Sequence, residues 1–105
     1  MSLTIYRERT EVDVVAESPM LSRARMRLFV QHALGDGVWQ KSAAASAIWH
    51  VPGSESNLAM PAAHAEMMAE ALGIDIPELV RRAEVYWQKH DEALAEAVAA
   101  RNGER

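Results

Sequence analysis

The 105-residue chain contains no cysteine, which removes disulfide frameworks, thiolate metal ligation and thiol nucleophiles together. Basic residues are the minority: eleven lysines and arginines stand against fifteen aspartates and glutamates, for a net charge of -4. A protein whose affinity comes from neutralising phosphates carries the opposite sign, so any nucleic-acid contact has to come from a local patch. Glycine and proline number only five and four, and there is no internal repeat or low-complexity segment beyond an enrichment in alanine. No apolar run reaches membrane-spanning length. The opening MSLTIYRERTEVDVV places Arg7, Glu8 and Arg9 where a signal peptide needs its apolar stretch, so a soluble, cytoplasmic protein is expected, with no membrane partner.

What is present is ordinary globular balance: 50% hydrophobic and 25% charged residues, well away from the profile of a disordered chain. The length suits one domain over residues 1–105 with a modest core. Thr10, Val12, Val14 and Ala16 alternate with Glu11, Asp13 and Val15, the period-two pattern of a half-buried strand, and residues 3–7 could add a second. The expected fold is mainly α: a β arm or hairpin over residues 1–17, then about four helices over 18–103 in a small bundle, ending in a long C-terminal helix.

The helices are read from their caps and spacing. Ser18 as N-cap and Pro19 in the first turn open a helix that closes at Gly35, with Met26, Phe29, Val30, Ala33 and Leu34 facing inward. Arg23 and Arg27, one turn apart, form its basic strip. VWQKSAAASAIWH gives a second helix with Trp39, Ala43, Ala47 and His50 along one side, and VPGSESN reads as a loop. A third helix begins near Asn57 to Pro61 and runs to Leu72 before Gly73, with Met60, His64, Met67, Met68, Ala71 and Leu72 on one face. In the last, Asp75 caps, Pro77 sits in the first turn, and Glu78 completes something close to a capping box. Its apolar seam steps by four and three through Ile76, Val80, Ala83, Trp87, His90, Leu94 and Ala97, about three heptads that suit a partner helix. A homodimer through Ile76, Val80, Ala83, Trp87, His90 and Leu94 is expected, against the alternative that this helix lies across the other three.

Pro61, Met68, Ala69, Ala71, Leu72, Gly73, Ile74, Ile76 and Leu79 match a pattern of proline, apolar helix, alanine-leucine-glycine and a following helix with an early leucine. In this the stretch resembles the closing part of the helix-turn-helix domain of the Cro/C1-type repressor family. Upstream, Gln40 stands where such domains open their second helix, and Ala44 and Ala45 stand for its packing pair. The resemblance, over residues 38–85, implies double-stranded DNA as a partner. It puts Ser54, Ser56 and Asn57 near bases, in a segment without arginine or lysine, and leaves Arg23, Arg27 and Lys41 to touch phosphates. The order strand, helix, GDG, helix over residues 10–50 is also similar to the ribbon-helix-helix repressors. There the outward strand residues would be Glu11, Asp13 and Val15, whose two carboxylates repel phosphates.

Catalytic and metal chemistry have little to stand on. His32, His50, His64 and His90 form no metal-binding pair on one helix face, and PGSES lacks a nucleophile elbow. Glu66 and Glu70 point outward, and GDG and VPGS are turns without a phosphate-loop lysine. No enzyme activity, metal or cofactor is expected. His90, inside the seam, could tie helix association to pH, or simply mark its wet end. Trp39, Trp49 and Trp87 anchor a core or, where exposed, contact a partner. Two functions remain open: a small DNA-binding transcriptional regulator, and an acidic protein-protein interaction module, such as a phage or plasmid accessory or inhibitor protein, without DNA binding.

Overall fold

The computed structural model describes residues 2–7, 14–46 and 58–103. Strand β1 (Leu3–Tyr6) pairs antiparallel with β2 (Val14–Ser18) in a register running from Leu3 opposite Ser18 to Ile5 opposite Ala16. Leu3 and Ile5, two residues apart, are both buried, as the pleat requires of one sheet face. A third strand, β3 (Ala59–Pro61), lies parallel to β1 on its other side, so the order is β2-β1-β3. Here the structure departs from the expectation of a helix beginning near Asn57 to Pro61. Pro61 closes an edge strand, where its missing N–H breaks no ladder, and the helix begins one residue later.

Ser18 is likewise not a helix cap. It ends β2, paired with Leu3, and its buried hydroxyl donates to Glu84 Oε2 at 2.9 Å while accepting from the Met20 N–H at 3.3 Å. With Ser18 held by ladder and carboxylate, the capping falls to Ser22, whose Oγ accepts from the Arg25 N–H at 3.2 Å and opens α1 (Arg23–Leu34). Gly35, with φ 81°, ends it, and α2 (Asp36–Ser46) follows directly. Ala47 and His50, expected on α2, lie outside the described residues, as do Trp49, Ser54, Ser56 and Asn57.

Helix α3 (Ala62–Leu72) buries Ala62, His64, Ala65, Met68 and Ala69. Met67 and Ala71, expected inside, face solvent, because Met60 belongs to β3 and the helix turns its alanine side to its neighbours. Gly73, at φ 73° and ψ 30°, closes α3: its N–H bonds the Glu70 carbonyl and the Ile74 N–H the Ala69 carbonyl, both at 3.0 Å. That left-handed, doubly bonded turn favours glycine because a side chain there would be strained.

Asp75 then opens α4 (Ile76–Gly103), accepting the Glu78 N–H on Oδ1 at 2.9 Å. Glu78 does not reach back as a capping box would. Arg81 Nε donates to both its oxygens, at 2.9 and 2.8 Å, and these contacts hold its pKa below the usual carboxylate value. Asp75→Ala should therefore cost about 1 kcal/mol, read as a lower urea midpoint; an unchanged midpoint would show the cap to be idle.

At 1.5 Å per residue the 28 residues of α4 span roughly 42 Å, most of the molecule's 55 Å long axis. Its first three turns complete the core. Ile76, Leu79, Val80, Ala83 and Trp87 are buried in one cluster with Leu3, Ile5, Met26, Met60 and Met68. The seam expected to join two chains is thus divided: Ile76, Val80, Ala83 and Trp87 spend their surface on this chain's own sheet and helices, and only the positions after Trp87 remain outside.

Candidate functional site

Beyond Trp87 the helix leaves the body, and the point of departure is built from both ends of the sequence. Helix α1 presents Arg25 and α4 presents Trp87 and Asp91, one turn apart and so on one face. The Arg25 guanidinium lies 4.6 Å from the Trp87 ring centroid. It donates from Nη1 to Asp91 Oδ2 at 2.9 Å and from Nη2 to Oδ1 at 3.3 Å, a two-pronged contact. Trp87 Nε1 in turn donates to the Arg25 carbonyl at 2.9 Å. The Asp91 pKa is held below its usual value, first by the Arg25 hydrogen bonds and less by His90, whose Nδ1 is 3.4 Å from Oδ1. Rings surround this clasp: His90 packs edge-on to Trp87 at 4.8 Å, Tyr86 to Trp87 at 5.4 Å and Tyr86 to Phe29 at 5.6 Å, with His32 against Tyr86 at 5.1 Å.

Past the clasp every residue from 92 to 103 is exposed. Leu94 is 56% and Val98 49% exposed. At 100° per residue both continue the line of Ile76, Val80, Ala83 and Trp87, so the stripe that forms the core runs on into solvent. Glu92 and Glu96 fall on the opposite side.

Among the described residues, hollows lie on two sides of α4. One, of about 290 Å³, lies at the foot of the distal segment between Pro19, Met20, Ser22, Arg25 and Asp91. The other, of about 460 Å³, lies at the α3–α4 turn, with Ala69, Ile74 and Ile76 in its lining and the exposed Arg7–Glu66 ion pair at 2.7 Å on its rim.

Of the residues expected to touch DNA, Arg23 and Arg27 stand one turn apart on α1 and Lys41 stands on α2, while Ser54, Ser56 and Asn57 lie outside the described residues. Arg27 on α1 and Lys41 on α2 are exposed. Arg23 is half-buried and its charge acts on His64. That histidine is fully buried, edge-on to Trp39 at 4.4 Å, and its pKa is lowered to about 4, mainly by burial and then by Arg23. Of the seam, Trp87, His90 and Leu94 fall together at the clasp and beyond it. Arg25, Asp91, Tyr86 and Val98 were missed. The available signal was that Asp91 follows Trp87 by one turn and Val98 follows Leu94 by one turn, each beside the seam.

Among the described residues no group of three or more histidines or carboxylates could hold a metal ion, and no helix is long and apolar enough to cross a membrane. Set against family models, curated proteins and solved structures, the chain matches none of them.

Proposed function

We propose that the chain is an acidic protein-interaction module whose working part is the distal half of α4. The observation that carries this reading is the exposure of Leu94 and Val98 on a straight continuation of the core stripe. Two branched aliphatic side chains on one face, with Ala97 beside them, are the pattern by which a helix packs on another helix or in an apolar groove. Glu92 and Glu96 behind them keep the uncovered helix soluble. The compact body supplies a rigid mount, and the Arg25–Trp87–Asp91 clasp fixes where the helix leaves it. A mount that holds an interaction helix in its bound shape lowers the ordering cost of association.

The DNA-binding reading keeps one favourable observation, the exposed Arg27 and Lys41. Against it, Arg23, expected at phosphates beside Arg27, is half-buried with its charge acting on His64, and the net charge is -4.

Changing Leu94 and Val98 together to aspartate tests the proposal, since both are exposed and the fold should keep its helical circular dichroism and melting temperature. An extract of the cells that make the protein, passed over immobilised wild type and variant, should lose a retained protein only with the variant. Identical retention by both would defeat the reading. Salt-dependent DNA retention that disappears with Arg27→Ala and Lys41→Ala would put the DNA reading in its place.

A further inference from the structure

We infer that the distal segment of α4 takes as its partner the same segment of a second copy of this chain, packed antiparallel about residue 96. The inference rests on reading that segment as an interaction surface and adds what covers it.

Continuing the core stripe outward, α4 presents Asp91, Leu94, Val98 and Arg101, spaced by three, four and three. All four lie within one side of the helix. The pattern is acid, apolar, apolar, base, and its spacing is symmetric: residue 96 is midway between 91 and 101, and also midway between 94 and 98. A two-fold axis at that level maps the pattern onto itself with the charges exchanged, which is what a closed, self-complementary dimer contact requires. One register then brings Arg101 of each copy level with Asp91 of the other, and Leu94 level with Val98, each pair occurring twice.

Asp91 has capacity for this. Its side chain is 40% exposed beside Arg25, and a carboxylate offers about four acceptor sites, of which Arg25 takes two and His90 a third. Ala95 and Ala97, on the two flanks of Leu94 and Val98, are exposed and small, letting two helix axes approach to the roughly 8 Å lower limit of helix packing. The same register carries the last turn of the second helix toward the hollow of about 290 Å³ bounded by Pro19, Met20, Ser22, Arg25 and Asp91. A parallel copy would instead set Asp91 against Asp91 and Arg101 against Arg101, and crowd the two bodies at one end.

An overlap of about sixteen residues belongs with the small, weak class of interfaces, so a dissociation constant of about 10–100 μM is expected. Sedimentation equilibrium of the full chain, up to about 1 mM so as to exceed that constant, should show mass rising from 11.6 kDa toward twice that. Arg101→Asp converts both cross-pairs to like charges and should weaken association at least about tenfold, with Arg101→Lys retaining most of it. Because the chain has no cysteine, single spin labels can be placed cleanly through Glu96→Cys and Lys89→Cys. Antiparallel pairing sets the two 96 positions at one level on the outer faces of the pair, while the two 89 positions, on the same outer faces, are offset by about 21 Å along the axis, so the 96–96 distance is the shorter.

A monomer throughout the range, equal distances at both labels, or indifference to Arg101→Asp would each overturn the inference. A monomer that nonetheless loses a captured protein when Leu94 and Val98 become aspartate overturns the self-pairing and leaves the interaction-module reading intact. Capture unaffected by that change, in a chain that also stays monomeric, overturns the module reading together with the self-pairing.

Discussion

Replacing Trp87 with alanine should destabilise the protein by about 3–5 kcal/mol, against the roughly 5–15 kcal/mol that holds a domain of this kind together. Several losses coincide at this side chain. The indole is 7% exposed, so its removal leaves a cavity between α1 and α4. The Arg25 carbonyl loses its donor, the Arg25 guanidinium loses the ring beneath it, and Tyr86 and His90 each lose an edge contact. Trp87→Phe narrows these contributions, because it keeps an aromatic ring in the core while removing the Nε1 hydrogen bond and part of the indole's volume. It should cost about 1–2 kcal/mol. Urea unfolding followed by circular dichroism at the helical band is the measurement. A loss under about 1 kcal/mol for Trp87→Ala would mean that Ile76, Val80 and Ala83 alone seat the helix and that the clasp is decoration.

The consequence for function is directional. With Trp87 gone, the Arg25–Asp91 contact stands alone, and a partly exposed ion pair without packing contributes little. The distal helix should then lose its fixed angle to the body before it loses helicity, and capture of a partner should weaken even where the helix survives.

What could be read from the sequence follows from the range of the forces involved. The caps at Asp75 and Gly73, the first hairpin and the Ile76–Val80–Ala83–Trp87 stripe depend on residues within a few positions of one another, and they are where local spacing put them. Strand β3 was invisible because three residues, one a proline, carry no period, and its pairing with β1 spans more than fifty positions. Ser18 was misplaced for a related reason. Both Ser18 and Ser22 suit an N-cap, and the choice was made by the distant Leu3 ladder and Glu84.

The α4 seam shows the same limit in another form. Periodicity identifies an apolar line but not where the neighbouring elements stop covering it. Here coverage ends near the clasp, because α1 begins there, and residues 92–103 have nothing beside them in the chain's own described elements. Nor could spacing single out Arg25 from Arg23 and Arg27, which alternate with it along α1. Its role comes from Asp91, 66 residues away.

The second large effect lies on the other side of the core and concerns pH. His64 is fully buried against Trp39, and its pKa is lowered to about 4 from 6.5, by burial first and by Arg23 second. The unfolded chain therefore takes up a proton near pH 6.5 that the folded chain refuses until about pH 4. Acid favours the state that binds the proton, so folding stability is lost as pH falls through that window and is unaffected by this group above it. The shift corresponds to a loss of about 2 kcal/mol by pH 5 and about 3 kcal/mol by pH 4. His64→Leu removes the titration, so the difference in unfolding free energy between wild type and variant should change by those amounts between pH 7 and 4. Asp91 and Glu78, whose pKa values are also held low, titrate further down and identically in both proteins, so the upper part of the window isolates the imidazole. Parallel pH profiles for the two proteins would show that His64 is charged, or hydrated, in the folded state. If the profiles diverge as expected, mild acid loosens the α2–α3 contact at Trp39 while the Arg25–Asp91 clasp is still ionised. The body should then give way at lower pH before the mount of the distal helix does, which amide exchange across residues 39–42 and 87–91 would resolve.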